Sequence, residues 1–238
     1  MRTVAVIQIP ILIGQSGAQV LRVQQADGFS WIEKTGPAPE IAAEAAVLNW
    51  CAGRLPVAQT IQEGAGFLLI TDLPGVNLTE VSMEQAVDVL VEALRFIHAV
   101  PVKECPFSAG WDLRLQQAEE RLHAGLVDES DFDEINRDRS GRDILRELQA
   151  FPPLPDRQCF THGDACLPNF LAQTGQLSGI VDLGRAGITH PAQDWALALR
   201  SMRHNFGVAG EQLLRRHLPA DCADEELLRR FCLLDELF

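Results

Sequence analysis

The sequence predicts an α+β protein of two lobes, and three observations carry that reading. β-prone runs separated by turn residues fill the first 71 positions, helical periodicity dominates from residue 80 onward, and short strands return only at 158–182. At 238 residues the chain exceeds one average domain of about 150 residues and falls short of two. Hydrophobic residues make up 47% and charged residues 22%, the balance of a folded globular chain and not of a disordered one. The expected division is a lobe over 1–71 and a lobe over 72–238.

In the first lobe, TVAVIQIPILI, AQVLRVQ and FSWIEK alternate with Gly-Gln-Ser-Gly and Asp-Gly turns, so three strands are expected. The Ala-rich run EIAAEAAVLNWCAG after Pro37 and Pro39 is a strong helix former that stops at Gly53. VAQTIQ and GFLLIT read as two more strands, and DLPGVNLTE as a turn-rich linker. Beyond it, Val87, Leu90, Val91, Leu94 and Ile97 recur at helical spacing. WDLRLQQAEERLHAGL, DILRELQAF, PAQDWALALRSM and ADEELLRRFCLLDELF repeat that pattern. FLAQ-TG-QLSGIVD reads as a β-hairpin.

Charge and cysteines narrow the class. The net charge is −13, which disfavours nucleic acid, because phosphate backbones select basic faces. Residues 1–70 hold 4 bases and 5 acids, while 71–238 hold 16 bases and 28 acids. A near-neutral first third can host an anion; the acidic remainder attracts cations or merely aids solubility. No apolar run approaches the roughly 20 residues of a membrane span, and the amino end reads as a strand, not a secretory signal. The six cysteines show no metal-binding or redox spacing, so a reduced, cytoplasmic chain is expected.

The chemistry concentrates in THGDACLPNF (161–170) and SGIVDLGR (178–185). The hairpin would bring Asn169, before one strand, to Asp182, after the other. Two hard oxygen ligands, an amide and a carboxylate, beside a second acid, Asp164, suit Mg²⁺ shared with substrate phosphates. A zinc site would need more than the single imidazole of His162. Lys34, one of only two lysines, ends an apolar-leaning strand and could clamp a phosphate. Glu44 on the following helix could hold it, with Glu40 one turn earlier as the rival. Gly14-Gln15-Ser16-Gly17 could fold its N–H groups over phosphates, or form an ordinary hairpin.

A glycine turn, a strand Lys, a helix Glu, then H-G-D-x₄-N and D-x-G-R together resemble the kinase-like phosphotransferases. More narrowly, HGDACLPN, DLGRAG, AQDWALALR, CPF, AGLVDESDFDE and LLDELF are similar to the aminoglycoside 3'-phosphotransferase family, from Gly14 almost to the end. The resemblance implies a two-lobed protein-kinase-like fold that phosphorylates a hydroxyl of an aminoglycoside antibiotic, the 3'-hydroxyl, and confers resistance, using ATP (or GTP) and Mg²⁺. It implies Asp164 as catalytic base, with His162 bracing its loop and Lys34, oriented by Glu44, on the α- and β-phosphates. Asn169 and Asp182 would hold the metal, Ser16 would lie over the phosphates, and Ile70, Thr71, Asp72 and Leu73 would meet adenine. Asp133 and Glu134 of an acidic lid, Asp235, Glu236 and the Phe238 carboxylate would face the cationic substrate. Arg185 and Arg200 would line the pocket floor, paired to acids such as Asp194. A monomer or weak dimer with no nucleic-acid or membrane partner is expected.

The chain departs from the family's pattern in three places. Only about a dozen residues precede Gly14, where the family has an extra helix; the Lys34–Glu44 connection is short; and Ser201, Met202, Arg203 and His204 stand where acids are usual. Ile32, with Trp31 beside it, occupies the position that is often aromatic for adenine stacking. Two alternatives remain at this point: a kinase of another small amino alcohol such as choline or homoserine, and a catalytically silent nucleotide-binding module.

Overall fold

A computed structural model describes residues 6–11 and 19–238. The glycine turn at 14–17, with Ser16, lies outside the described residues. The class is α+β, as expected, and the chain forms two compact units. The first comprises Met1–Phe96 and Leu167–Arg185, the second Ile97–Cys166 and Ala186–Phe238. The expected cut at residue 71 falls inside the first unit, which also takes back the hairpin of the HGD region.

In the first unit, β1 (Val6–Pro10), β2 (Gln19–Gln25), β3 (Ser30–Thr35), β4 (Thr60–Gly64) and β5 (Phe67–Thr71) form an antiparallel sheet in the order β1-β2-β3-β5-β4. Helix α1 (Ala38–Cys51) enters through Pro37 and Pro39, whose fixed φ suits a first turn. Its buried positions Ile41, Glu44, Ala45 and Leu48 share one stripe at helical spacing. An acid is thereby built into an apolar face, where it requires a cation.

The segment expected to be a linker is instead part of the structure. Val76–Asn77 forms β6, which pairs with β8 (Phe170–Gln173), and β8 pairs with β9 (Gln176–Ile180). The reason is local: Gly75 sits at φ 114°, and a Cβ there would stand 2.5 Å from the Ala172 carbonyl oxygen. Only glycine permits that approach. The β8–β9 turn is Thr174-Gly175, with φ of 51° and 82°, so both residues are left-handed as a two-residue hairpin turn demands.

Helix α2 (Met83–His98) buries the whole anticipated stripe from Val87 to Ile97. In the second unit, α3 (Trp111–His123), α4 (Gly141–Ala150), α5 (Ala192–Arg215) and α6 (Glu225–Asp235) pack around Ile144, Leu148, Leu214 and Phe231. Ser140 caps α4 and Asp224 caps α6 through side-chain oxygens that accept first-turn amides. Strands β7 (Cys159–Thr161) and β10 (Gly187–Thr189) form a two-stranded ribbon beside them. Helix α5 bends at Gly207, whose φ is 67°. No helix among the described residues is long and apolar enough to cross a membrane.

Candidate active site

The expected site residues fall into two sets, one in each unit. In the first unit Lys34 stands on β3, opposite Leu68 of β5 and Val20 of β2. Side chains alternate along a strand, so Ile32 shares the face of Lys34 while Trp31 points to the other. Ile32 lies opposite Ile70, and both are buried; Trp31 instead donates its indole N–H to Glu33 at 3.0 Å.

Lys34 Nζ lies 2.5 Å from Glu44 Oε1 and 3.3 Å from Asp182 Oδ1. Glu40, the rival partner, is exposed, which settles the choice in favour of the acid on the buried stripe. Burial works against the ammonium charge, but the Asp182 and Glu44 carboxylates outweigh it and hold Lys34 above its ordinary value of 10.5. A raised lysine contributes its full stabilisation below pH 10.5 and loses it as pH climbs through the folded value. Glu44→Gln is therefore expected to cost about 1–3 kcal/mol in urea unfolding at neutral pH. The gap from wild type should close only in strongly alkaline solution.

The hairpin does what its sequence implied. The Val181 amide donates to the Asn169 carbonyl at 3.0 Å, so Asn169 and Asp182 are neighbours across the ends of β8 and β9. Asp182 itself is left-handed at φ 59°, a conformation that Asp tolerates better than most residues. Its side chain is 37% exposed, against 11% for Lys34 and 9% for Glu44, so the carboxylate reaches outward from a buried ion pair. An amide and a carboxylate oxygen are hard donors, and no cluster of three or more His, Cys, Asp or Glu competes among the described residues. That pair fits Mg²⁺, which keeps most of its shell for phosphates and water.

At the end of β5, Asp72 accepts a hydrogen bond from Ser30 Oγ at 2.8 Å and pairs with Arg22 at 2.9 Å. The Thr71 amide donates to the Gln59 carbonyl. Leu73 packs so closely that a Cβ on Gly179 would meet it at 2.7 Å. Segment 70–73 is thus held by the Thr71 amide and by the Asp72 and Leu73 side chains. Arg185 is half-buried at the end of this unit.

In the second unit the HGD segment hangs on a residue assigned elsewhere by the sequence. Asp194, in the first turn of α5, is fully buried and accepts from the His162 amide at 2.9 Å and the Gly163 amide at 3.0 Å. His98 Nε2 lies 2.9 Å from the same carboxylate. Gln193 donates to the Gly163 carbonyl at 3.1 Å, and the Asp164 amide donates to His162 Nδ1 at 3.2 Å. Gly163 has φ 84°, which explains the glycine before Asp164. Arg200 is paired to nearby acids as expected, but to Asp235 and, at 3.6 Å, Asp133, whereas the Asp194 carboxylate accepts the loop amides. Burial opposes the Arg200 charge, and Asp235 more than offsets it.

Asp133 and Glu134 are both exposed, as is Ile135 directly after them. Glu236 accepts from the Asp133 amide at 3.0 Å and from Asn136 Nδ2 at 2.7 Å, a partner the sequence reading did not identify. The Phe238 ring lies 5.5 Å from each of the Arg114 and Arg121 guanidiniums, and an oxygen of its carboxylate accepts from Arg121 at 2.7 Å. Arg203, one of the residues standing where acids are usual, is matched by Glu211 at 2.8 Å. Burial pushes the Cys232 thiol up to about 12, so it stays neutral near Arg200.

The model of a phosphotransferase enzyme family matches residues 8–231. The chain belongs to that family. An aminoglycoside 3'-phosphotransferase of Niallia circulans is 33% identical over 242 residues, covering 95% of this chain and 90% of that protein. Among solved structures, an aminoglycoside 3'-phosphotransferase of type VIII superposes with a TM-score of 0.86 at 29% identity, over 97% of this chain and 94% of that one. An aminoglycoside phosphotransferase of Streptomyces rimosus, solved with ADP and streptomycin, shares the fold with a TM-score of 0.80 at 24% identity, over 97% and 92% of the two chains. The phosphotransferase assignment and the kinase-like fold expected from the motifs agree with these likenesses.

Proposed function

We propose that this phosphotransferase moves the γ-phosphoryl group of ATP to an aminoglycoside hydroxyl, the 3'-hydroxyl in particular. The observation that carries the reading is the buried Lys34, held by Glu44 and Asp182, with Asn169 beside Asp182 on the hairpin. Family membership and the names of the relatives support it, as does the Streptomyces rimosus enzyme solved with ADP and streptomycin.

In this reading Lys34 fixes the α- and β-phosphates, Glu44 fixes Lys34, and backbone of segment 70–73 meets the adenine. Asn169 and Asp182 would hold Mg²⁺, which neutralises charge on the phosphate oxygens when bound. Asp164 accepts the substrate hydroxyl proton as the oxygen–phosphorus bond forms and ADP departs. The side chains thus supply position and charge, with little covalent work. Asp133, Glu134 and Asp235 face a polycation, for which a carboxylate-rich edge raises both encounter rate and selectivity. The enzyme works in the cytoplasm as a monomer or weak dimer.

Mass spectrometry of kanamycin and neomycin after incubation with protein, Mg²⁺ and ATP should show a gain of about 80 Da, one phosphoryl group. Transfer to choline or homoserine with neither antibiotic modified would assign the chain to another amino alcohol. ADP formation that no acceptor stimulates would leave only nucleotide binding.

A further inference from the structure

We propose that Glu236 is a positioning residue: its carboxylate pins segment 128–138, so that Asp133 and Glu134 stand as a preformed anionic edge. This deepens the aminoglycoside reading and rests on it, while giving Glu236 a role other than direct contact with a substrate amine.

The segment DESDFDEINRD holds six acids and one base, so its charges oppose being gathered in one place. What gathers them is a short set of anchors. Phe132 and Asn136 are buried, and Glu129 accepts the Gly141 amide at 2.7 Å at the α4 end. At the other end both oxygens of Glu236 accept the Asp133 amide, at 3.2 and 3.0 Å, and Oε1 also accepts from Asn136 Nδ2 at 2.7 Å. Arg139 donates to Asn136 Oδ1 at 3.2 Å, which fixes the amide with its NH₂ group toward Glu236. Glu236 and Asn136 stand 100 residues apart in the chain, so this contact ties two distant segments together.

The division of labour between two adjacent acids follows from their partners. Asp235 is matched by the Arg200 guanidinium, whereas Glu236 is satisfied by neutral N–H donors of the segment. Both Glu236 oxygens are already engaged by N–H donors of the segment. Here it is the Asp133 carboxylate that remains exposed, 3.6 Å from Arg200, while the Asp133 backbone is tied down. Losing Glu236 would leave the buried Asn136 amide and the Asp133 N–H without acceptors, and a donor stranded in this way costs more than the bond itself contributed.

Hydrogen exchange on the full chain without any ligand separates pinning from substrate contact. Glu236→Gln replaces one acceptor by an NH₂ group that confronts N–H donors, and should speed exchange at the Asp133 amide about tenfold. The same variant should raise KM for the aminoglycoside with kcat and the KM for ATP unchanged. Asn136→Ala, which leaves α6 intact, should act in the same direction, and the double variant should add little beyond the larger single effect. Unchanged exchange in Glu236→Gln together with a raised KM would overturn the proposal in favour of direct contact, as would fully additive effects. Should no aminoglycoside be phosphorylated at all, the exchange measurement still decides the pin, and the failure belongs to the substrate reading.

Discussion

Asp164→Asn is expected to lower kcat by about 10²–10⁴-fold while the affinity for ATP changes little. The substitution keeps shape and removes the one property the proposed step needs, a carboxylate able to take a proton. The loop should survive it, because the substitution leaves the Asp164 amide on His162 Nδ1 and the grip of Asp194 on the two preceding amides. Nucleotide affinity is assigned to Lys34, Asn169 and Asp182, which the change does not touch. Steady-state turnover beside a direct binding measurement with a non-hydrolysable ATP analogue checks both halves. Retention of more than a few per cent of the wild-type rate would mean that another group accepts the proton.

Asp194→Asn should damage both stability and activity. The carboxylate is completely buried and satisfies His98, the His162 amide and the Gly163 amide together. In the amide, one oxygen becomes an NH₂ group that must face a backbone N–H or the imidazole, so at least one buried donor is left opposed. Breaking a buried charged partnership of this kind costs about 3–5 kcal/mol. For a protein of this size that lowers Tm by roughly 10 °C, readable by calorimetry. Turnover should fall as well, because the loop carrying Asp164 loses its anchor. His98→Phe, which removes one partner of the three, should destabilise less than Asp194→Asn; a larger effect would show that the imidazole, not the backbone amides, is the principal partner of the carboxylate.

These two aspartates differ in how visible they were. Asp164 stood out because His-Gly-Asp, Asn169 and Asp182 are packed into a short stretch whose hairpin turn, Thr174-Gly175, is written in adjacent residues. Glu44 was legible for a similar reason: it falls on the buried stripe of one helix, and helical spacing is a local property. Asp194 reads from the sequence only as one of several acids near the arginines, not as the acceptor of the HGD amides. Its partners His98 and His162 lie 96 and 32 residues away, and nothing local distinguishes an acid that will cap backbone amides from one that will meet a guanidinium. The same distance hid Asn136, the partner of Glu236, and the Arg121 that takes an oxygen of the Phe238 carboxylate. Segment 72–80 reads as a linker because its turn residues are real; the brief strand Val76–Asn77 is defined by its pairing with β8, which lies about 95 residues on.

Local order in the chain therefore determined the strands, the helices, the hairpin that sets Asn169 beside Asp182, and the chemistry class those residue types suit. Each depends on neighbours within a turn or two, where periodicity and turn preference act. Only the tertiary structure decided which acid meets which cation or amide: Asp194 on the HGD backbone, Arg200 on Asp235, Glu236 on the Asp133 amide and Asn136. Such pairings are chosen by which buried groups the folded chain brings within hydrogen-bond reach, and a carboxylate's charge does not name its partner in advance.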